Sequence, residues 1–74
     1  MSISKHEIAV LSHLAIFGPS AGHDMRDITG NPSVVAKRLK RKGLITGKYM
    51  ERNGHPIELL SISELGYELL SILR

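Results

Sequence analysis

The residues best suited to a chemical role are seven lysines and arginines crowded into residues 37–52. They are Lys37, Arg38, Lys40, Arg41, Lys42, Lys48 and Arg52, with Glu51 as the one acidic residue among them. This segment carries a net charge of +6, whereas residues 1–36 carry −1 and residues 53–74 carry −2. All of the positive excess therefore lies in one short segment. Such a patch is suited to binding a polyanion, with nucleic acid the first candidate, and the alternative is a solvated helix face.

The sequence lacks the residue patterns required for a metal site, for disulfides or for catalysis. The histidines (His6, His13, His23 and His55) have no spacing that brings together the three or four ligands that zinc requires. The absence of cysteine excludes disulfides, thiolate metal sites and cysteine nucleophiles. No Gly-rich phosphate loop follows a strand, and no serine has an evident base beside it. We therefore expect no metal, no cofactor and no enzyme activity, and no small-molecule ligand is evident.

Length and composition favour one small globular domain over residues 1–74. The chain has a mass of 8.2 kDa, with 42% hydrophobic and 23% charged residues. Its longest apolar runs have four residues, which is too short to span a membrane. The first residues lack a signal-peptide pattern, so we expect a cytoplasmic protein, associated with the nucleoid if its partner is DNA.

Two helices are predicted before the basic segment. Ser4 and Glu7 have the spacing of a capping box, apolar residues then recur with helical periodicity, and Gly18-Pro19 ends this first helix. A short second helix is predicted from about Ser20 to Ile28, with Ser20 as its cap.

The third helix, over about residues 31–43, contains most of the basic segment. Asn31 is predicted as its N-cap, Pro32 suits the first helical position, and Gly43 ends it. The residues predicted to be buried are Val35, Ala36 and Leu39. The opposite face presents Ser33, Val34, Lys37, Arg38 and Arg41.

A β-hairpin and a last helix are predicted next. Two extended runs, residues 44–50 and 56–62, flank Asn53-Gly54, a strong hairpin signal. The last helix opens at Ser61 or Ser63, and Ser61 and Glu64 have capping-box spacing. The prediction is a mainly α chain with a small β-hairpin (α+β), in the order α-α-α-β-β-α.

Three stretches of the sequence resemble winged helix-turn-helix transcriptional regulators. Residues 35–45 (VAKRLKRKGLI) are similar to the end of the recognition helix in such repressors. Residues 14–25 (LAIFGPSAGHDM) resemble the opening of PadR-like domains, although His23 stands where tyrosine is usual. Residues 60–70 (LSISELGYELL) resemble the passage from wing to helix in PadR-like and MarR-like domains.

The resemblance implies a winged helix that places its third helix in the major groove of double-stranded DNA. The implied base-reading residues are Asn31, Ser33, Val34, Lys37 and Arg38, although Val34 could instead fill the domain core. The implied contacts with the DNA backbone are Lys40, Arg41, Lys42 and Lys48. In the wing, over about residues 44–62, the candidates are Arg52, Asn53 and His55.

The function implied is sequence-specific binding of duplex DNA by a small transcriptional regulator that acts by occupying its operator. The alternatives are a winged helix that binds a partner protein, and an accessory factor in replication or recombination. The apolar stripes of the first and last helices exceed what so small a core can enclose, which predicts a homodimer. We expect Leu69, Ile72 and Leu73 in its contact; the alternative is that the last helix closes the core and pairing occurs only on DNA.

Overall fold

The computed structural model describes residues 2–73, which form three α-helices and a three-stranded antiparallel sheet. In chain order the elements are α1 (Lys5–Phe17), β1 (Ser20–Ala21), a 3₁₀ helix (Gly22–Met25), α2 (Pro32–Arg41), β2 (Ile45–Arg52), β3 (His55–Ile62) and α3 (Glu64–Leu73). The sheet has the strand order β1-β3-β2. The predicted α+β class is confirmed, and β1 is an addition that the sequence did not indicate.

Helix α1 begins with the predicted capping box. The Glu7 amide donates to Ser4 Oγ at 3.2 Å, and the Ser4 amide donates to Glu7 Oε1 at 3.1 Å. These bonds satisfy backbone donors that have no partner in the first turn of a helix. The helix then buries Val10, Leu11 and Leu14 in the core.

The predicted second helix is wrong in extent and in its cap. Ser20 and Ala21 pair with Leu60 and Leu59 of β3, and only Gly22–Met25 are helical, as a single 3₁₀ turn. The Ser20 hydroxyl donates to the Gly18 carbonyl, while the Ala21 amide donates to the Asp24 carboxylate at 3.0 Å. Pairing with a strand some forty residues later outweighed the local helix signal.

Helix α2 forms as predicted, except at its N-cap. Pro32 occupies the first turn, where its missing amide hydrogen costs nothing, but the Asn31 side chain makes no capping hydrogen bond. The buried Thr29 instead accepts the Asn31 amide at 3.3 Å. At the other end the Leu44 amide donates to the Leu39 carbonyl, a six-to-one bond typical of a Schellman motif.

Strands β2 and β3 form the predicted hairpin. Their last pair is Arg52 with His55, so Asn53 and Gly54 make a two-residue turn. Both turn residues have positive φ, 53° and 77°, as a type I′ turn requires. Asparagine and glycine tolerate that conformation best, which explains why this signal was reliable.

Helix α3 begins at Ser63, one of the two predicted starts. Ser63 Oγ accepts the Gly66 amide at 3.1 Å and donates to the Gly43 carbonyl at 2.7 Å. The predicted capping pair of Ser61 and Glu64 is wrong, because Ser61 lies in β3 opposite Thr46. The same hydroxyl of Ser63 therefore caps α3 and ties it to the end of α2.

The core lies between α1, the inner face of α2 and the sheet. Its fully buried side chains are Val10, Leu11, Leu14, Met25, Leu39 and Leu44, and α3 contributes the buried Leu70. This core holds α2 by one face only and leaves the other to solvent. Within residues 2–73, no helix is long and apolar enough to cross a membrane.

Candidate nucleic-acid interface

Helix α2 has one buried and one exposed face. Val35, Ala36 and Leu39 are buried, as predicted. The opposite face exposes all five residues predicted for it, namely Ser33, Val34, Lys37, Arg38 and Arg41. Val34 is 40% exposed, so it does not fill the core. Asn31 is also exposed and adjoins this face, since its side chain is not used as a cap.

Three of the cations on α2 are free of ion pairs with any described residue. Lys37, Arg38 and Arg41 are exposed and make no salt bridge or side-chain hydrogen bond within residues 2–73. They occupy successive turns on the solvent side of the helix. Their charge is therefore directed outwards, where a polyanion can reach it.

Lys40 is directed differently, because its ammonium group pairs with the Glu58 carboxylate of β3. Both side chains are about one-third exposed, at 34% for Lys40 and 26% for Glu58. This ion pair connects α2 to the hairpin. Whether Lys40 also contacts DNA stays a prediction.

Lys42 pairs with α1 instead. Its Nζ donates to Glu7 Oε2 at 2.6 Å and to the Ser2 carbonyl at 2.7 Å. Burial of Glu7 by itself would raise the pKa of its carboxyl, but hydrogen bonds from Lys42 and Ser4 outweigh it and lower that pKa below its ordinary value. The ammonium group of Lys42 thus compensates a buried carboxylate, and its predicted contact with the DNA backbone is untested.

The hairpin places the predicted wing residues on its exposed surface. Lys48 is exposed on β2, and Asn53 and His55 are exposed at the tip. Arg52 lies 3.7 Å from the Asp24 carboxylate of the 3₁₀ helix, and the side chains of this ion pair are 50% and 38% exposed. The wing therefore exposes Lys48 to solvent, whereas Arg52 is already paired with a carboxylate of the protein.

An open groove of about 760 Å³ separates the start of α2 from the hairpin. Its walls include His23, Arg26 and Lys37 on one side and Tyr49 on the other. The sequence indicated no role for Arg26 or Tyr49. The two residues are far apart in the chain, so no local signal could have placed them on one groove.

Exposed apolar side chains lie on α1 and α3. Ile16, Phe17 and Ile72 are 66%, 73% and 78% exposed, and Leu73 is also largely exposed. Leu69, which was predicted in a dimer contact, is partly buried against the core. In the described part of the chain, no three side chains of the metal-binding types form a cluster that could hold an ion.

Two solved structures are similar to this fold. A PadR family transcription regulator from hypervirulent Clostridium difficile R20291 has a TM-score of 0.78 and 20% sequence identity, with 93% of this chain and 82% of that chain covered. A MarR family regulator from Neisseria meningitidis has a TM-score of 0.73 and 28% identity, with 96% of this chain covered. The matched region is 52% of the second protein, so this chain spans about half its length.

No family model matches the sequence, and no curated protein is significantly similar to it. The structural similarity establishes the fold as a winged helix and confirms the resemblance to PadR-like and MarR-like domains. In this fold α2 occupies the position of the recognition helix, and the β2–β3 hairpin occupies the position of the wing.

Proposed function

We propose that this winged helix binds double-stranded DNA in a sequence-specific manner and regulates transcription by occupying an operator. The observation that supports the proposal is the exposed face of α2, on which Lys37, Arg38 and Arg41 make no ion pair with any described residue. Both similar structures are regulators, which supports the same role. Occupancy requires no chemistry by the protein itself, and such a regulator would be cytoplasmic and nucleoid-associated.

In this proposal α2 enters the major groove with its N-terminal half towards the bases. Arg38 would donate two hydrogen bonds to guanine, Ser33 and Asn31 would bond base edges, and Val34 would contact a thymine methyl group. Lys37 would serve a base or a phosphate. The exposure of Val34, at 40%, suits this role, since part of its side chain is free to contact a methyl group.

Phosphate contacts would position the domain without specifying sequence. Arg41 and Lys48 are the best candidates, because both are exposed and free of ion pairs with described residues. Lys40 and Lys42 already hold carboxylates of the protein. The wing residues Arg52, Asn53 and His55 would reach the backbone or a narrow minor groove.

We further propose that residues 1–74 act as a single domain that pairs into a homodimer through α1 and α3. One winged helix buries only about 600–1,000 Å² on DNA, which limits specificity. Two-fold pairing would place two copies of α2 about 34 Å apart, on successive turns of the major groove. The exposed apolar side chains of Ile16, Phe17 and Ile72 would be covered in such a dimer.

Titration of labelled random duplex at several salt concentrations tests the proposed function. We expect log K to fall linearly with log salt, by about 0.9 for each phosphate contact. A winged helix that binds a partner protein would show no such affinity. Selection of bound duplexes from a random pool would then give the preferred site, and a two-fold symmetric site would support pairing. Failure to enrich any motif would contradict sequence-specific recognition.

A further inference from the structure

The junction between α2 and the wing contains an acid in a surface otherwise suited to DNA. Among the described residues, Glu58 is the one carboxylate of the wing that pairs with a cation of α2, and that cation is Lys40. Glu58 belongs to β3, opposite Tyr49 of β2, and it lines the groove beside Lys37. An acid in this position opposes binding of a polyanion, so it calls for an explanation.

Gly47 provides the space in which the Glu58 side chain lies. Gly47 is on β2 two residues before Tyr49, on the same face of the sheet as Glu58. A Cβ atom at Gly47 would lie 2.8 Å from the carboxyl carbon of Glu58, closer than such atoms approach, and 3.1 Å from its Cγ, which is a tight contact. The glycine therefore lets the carboxylate lie across β2 and reach Lys40.

From this arrangement we infer that Glu58, seated over Gly47, withholds Lys40 from the DNA backbone and so lowers sequence-independent affinity. The inference rests on the proposed function. A lysine that must break a pair with its own protein before it contacts a phosphate gains little by the exchange. A backbone contact contributes equally to every duplex, so withholding it weakens binding to all sequences alike. Glu58 and Gly47 thus set the sequence-independent part of the affinity, and they act through Lys40.

A double-mutant cycle on Glu58 and Lys40, read by fluorescence anisotropy on a random duplex over a range of salt, tests the inference. Lys40→Gln alone should change the slope of log K against log salt by far less than the value of about 0.9 expected for one phosphate contact. Glu58→Gln should steepen that slope by about 0.9 and tighten binding about five- to tenfold at about 0.1 M salt. The double variant should return to the slope of the wild type, because the released cation is then absent.

Two further variants separate release of Lys40 from a general change of charge. Gly47→Ala keeps every charge but displaces the carboxylate, so it should steepen the slope in the same direction as Glu58→Gln. Glu51→Gln removes an equal charge from the same face of the wing, where the described residues offer it no ion pair. It should tighten binding less and leave the slope near that of the wild type. Circular dichroism melts establish that each variant is folded.

The outcomes distinguish the inference from the proposed function. A wild type with no salt-dependent affinity for any duplex would overturn both. A wild type that binds, together with a Glu58→Gln slope equal to its own, would overturn the inference and leave the function standing. The inference also fails if Lys40→Gln alone flattens the slope by about 0.9, since Lys40 would then already contact a phosphate.

Discussion

Arg38 is the side chain on which sequence reading by this domain would depend most. It is exposed on α2, makes no ion pair with any described residue, and its planar guanidinium group can bond two acceptors of one guanine. Lysine cannot reproduce that geometry. The role assigned to Arg38 is therefore open to a direct test at one base position.

Arg38→Ala should weaken binding to the selected site by about 1–3 kcal/mol and relax the preference at one base pair. Affinity for random duplex should fall much less. Competition titrations against single-base variants of the site measure both effects. Lys5→Ala, an exposed cation at the start of α1, is the matched control. A uniform loss on all sequences would instead assign Arg38 to the DNA backbone.

Lys42 and Glu7 have a structural role that charge counting could not reveal. Glu7 is buried, and its pKa is lowered through its hydrogen bonds from Lys42 and Ser4. A carboxyl whose pKa is lower in the folded state stabilises the fold above its ordinary pKa, and this contribution is lost as pH falls through the lowered value. Removing Lys42 leaves the burial of Glu7 uncompensated.

Lys42→Met should destabilise the protein by about 1–3 kcal/mol at neutral pH, because a buried charge loses its partner. Without the hydrogen bond from Lys42, the pKa of Glu7 should be higher in the variant than in the wild type, so Glu7 takes up a proton more readily and acidification relieves the penalty. The stability difference from the wild type should therefore shrink as pH falls from the pKa of Glu7 in the variant to its lowered pKa in the wild type. Urea denaturation at several pH values measures it, with Lys5→Met as control. A difference independent of pH would show that Glu7 is not involved.

At the scale of elements, the helix and strand boundaries show which local sequence signals predict structure correctly and which do not. Three local features were predicted correctly: the Ser4–Glu7 capping box, Pro32 in the first turn of α2, and the Asn53-Gly54 turn. Each depends only on backbone and side-chain groups within four residues of one another in the chain. Ser20 and Ser61 were both predicted as caps and both lie in strands. A serine can serve either role, so pairing across the sheet decides between them.

Gly66 determines how closely α3 approaches the start of β2. A Cβ at this position would collide with the Leu44 carbonyl oxygen and would lie too close to the Ile62 side chain. Alanine has a higher helix propensity than glycine, so an isolated helix would gain from the substitution by about 1 kcal/mol. The two effects have opposite signs, and backbone atoms cannot move aside cheaply.

Gly66→Ala should therefore lower the free energy of unfolding by about 1–3 kcal/mol, in spite of the better helix propensity. Thermal and urea denaturation measure the change. Gly30→Ala is the control, because a Cβ at Gly30 meets nothing within 4 Å and its stability should change little. A Gly66→Ala protein at least as stable as the wild type would mean that α3 is not held this closely.

At the scale of the whole molecule, the exposed residues include two sets with different chemistry. Basic side chains are exposed on α2 and the wing, where we propose that DNA binds, and apolar side chains are exposed on α1 and α3, where we propose that a second copy binds. Ile72, at 78% exposure, has the largest exposed fraction among the large apolar side chains in the described residues. The proposed dimer would cover this side chain, which makes Ile72 the position at which to test the contact.

Sedimentation equilibrium at micromolar concentration without DNA should show a dimer of about twice 8.2 kDa. Ile72→Glu should give a folded monomer, because a carboxylate cannot be buried unpaired in the contact. Val34→Glu, an equal change on the DNA face, should remain dimeric. A single 8.2 kDa species of the wild type across the concentration range would contradict pairing in free solution.

The sequence by itself determined the helix starts at Ser4 and Pro32, the hairpin turn, the two faces of α2 and the position of the basic segment. Each of these follows from hydrogen bonds or periodicity within a few residues. Only the tertiary structure decided that Lys40 and Lys42 pair with acids 18 and 35 residues away in the chain. It also decided that Ser20 joins the sheet. The reason is physical: an ion pair or a strand pair forms where packing brings two segments together, and packing depends on the whole core.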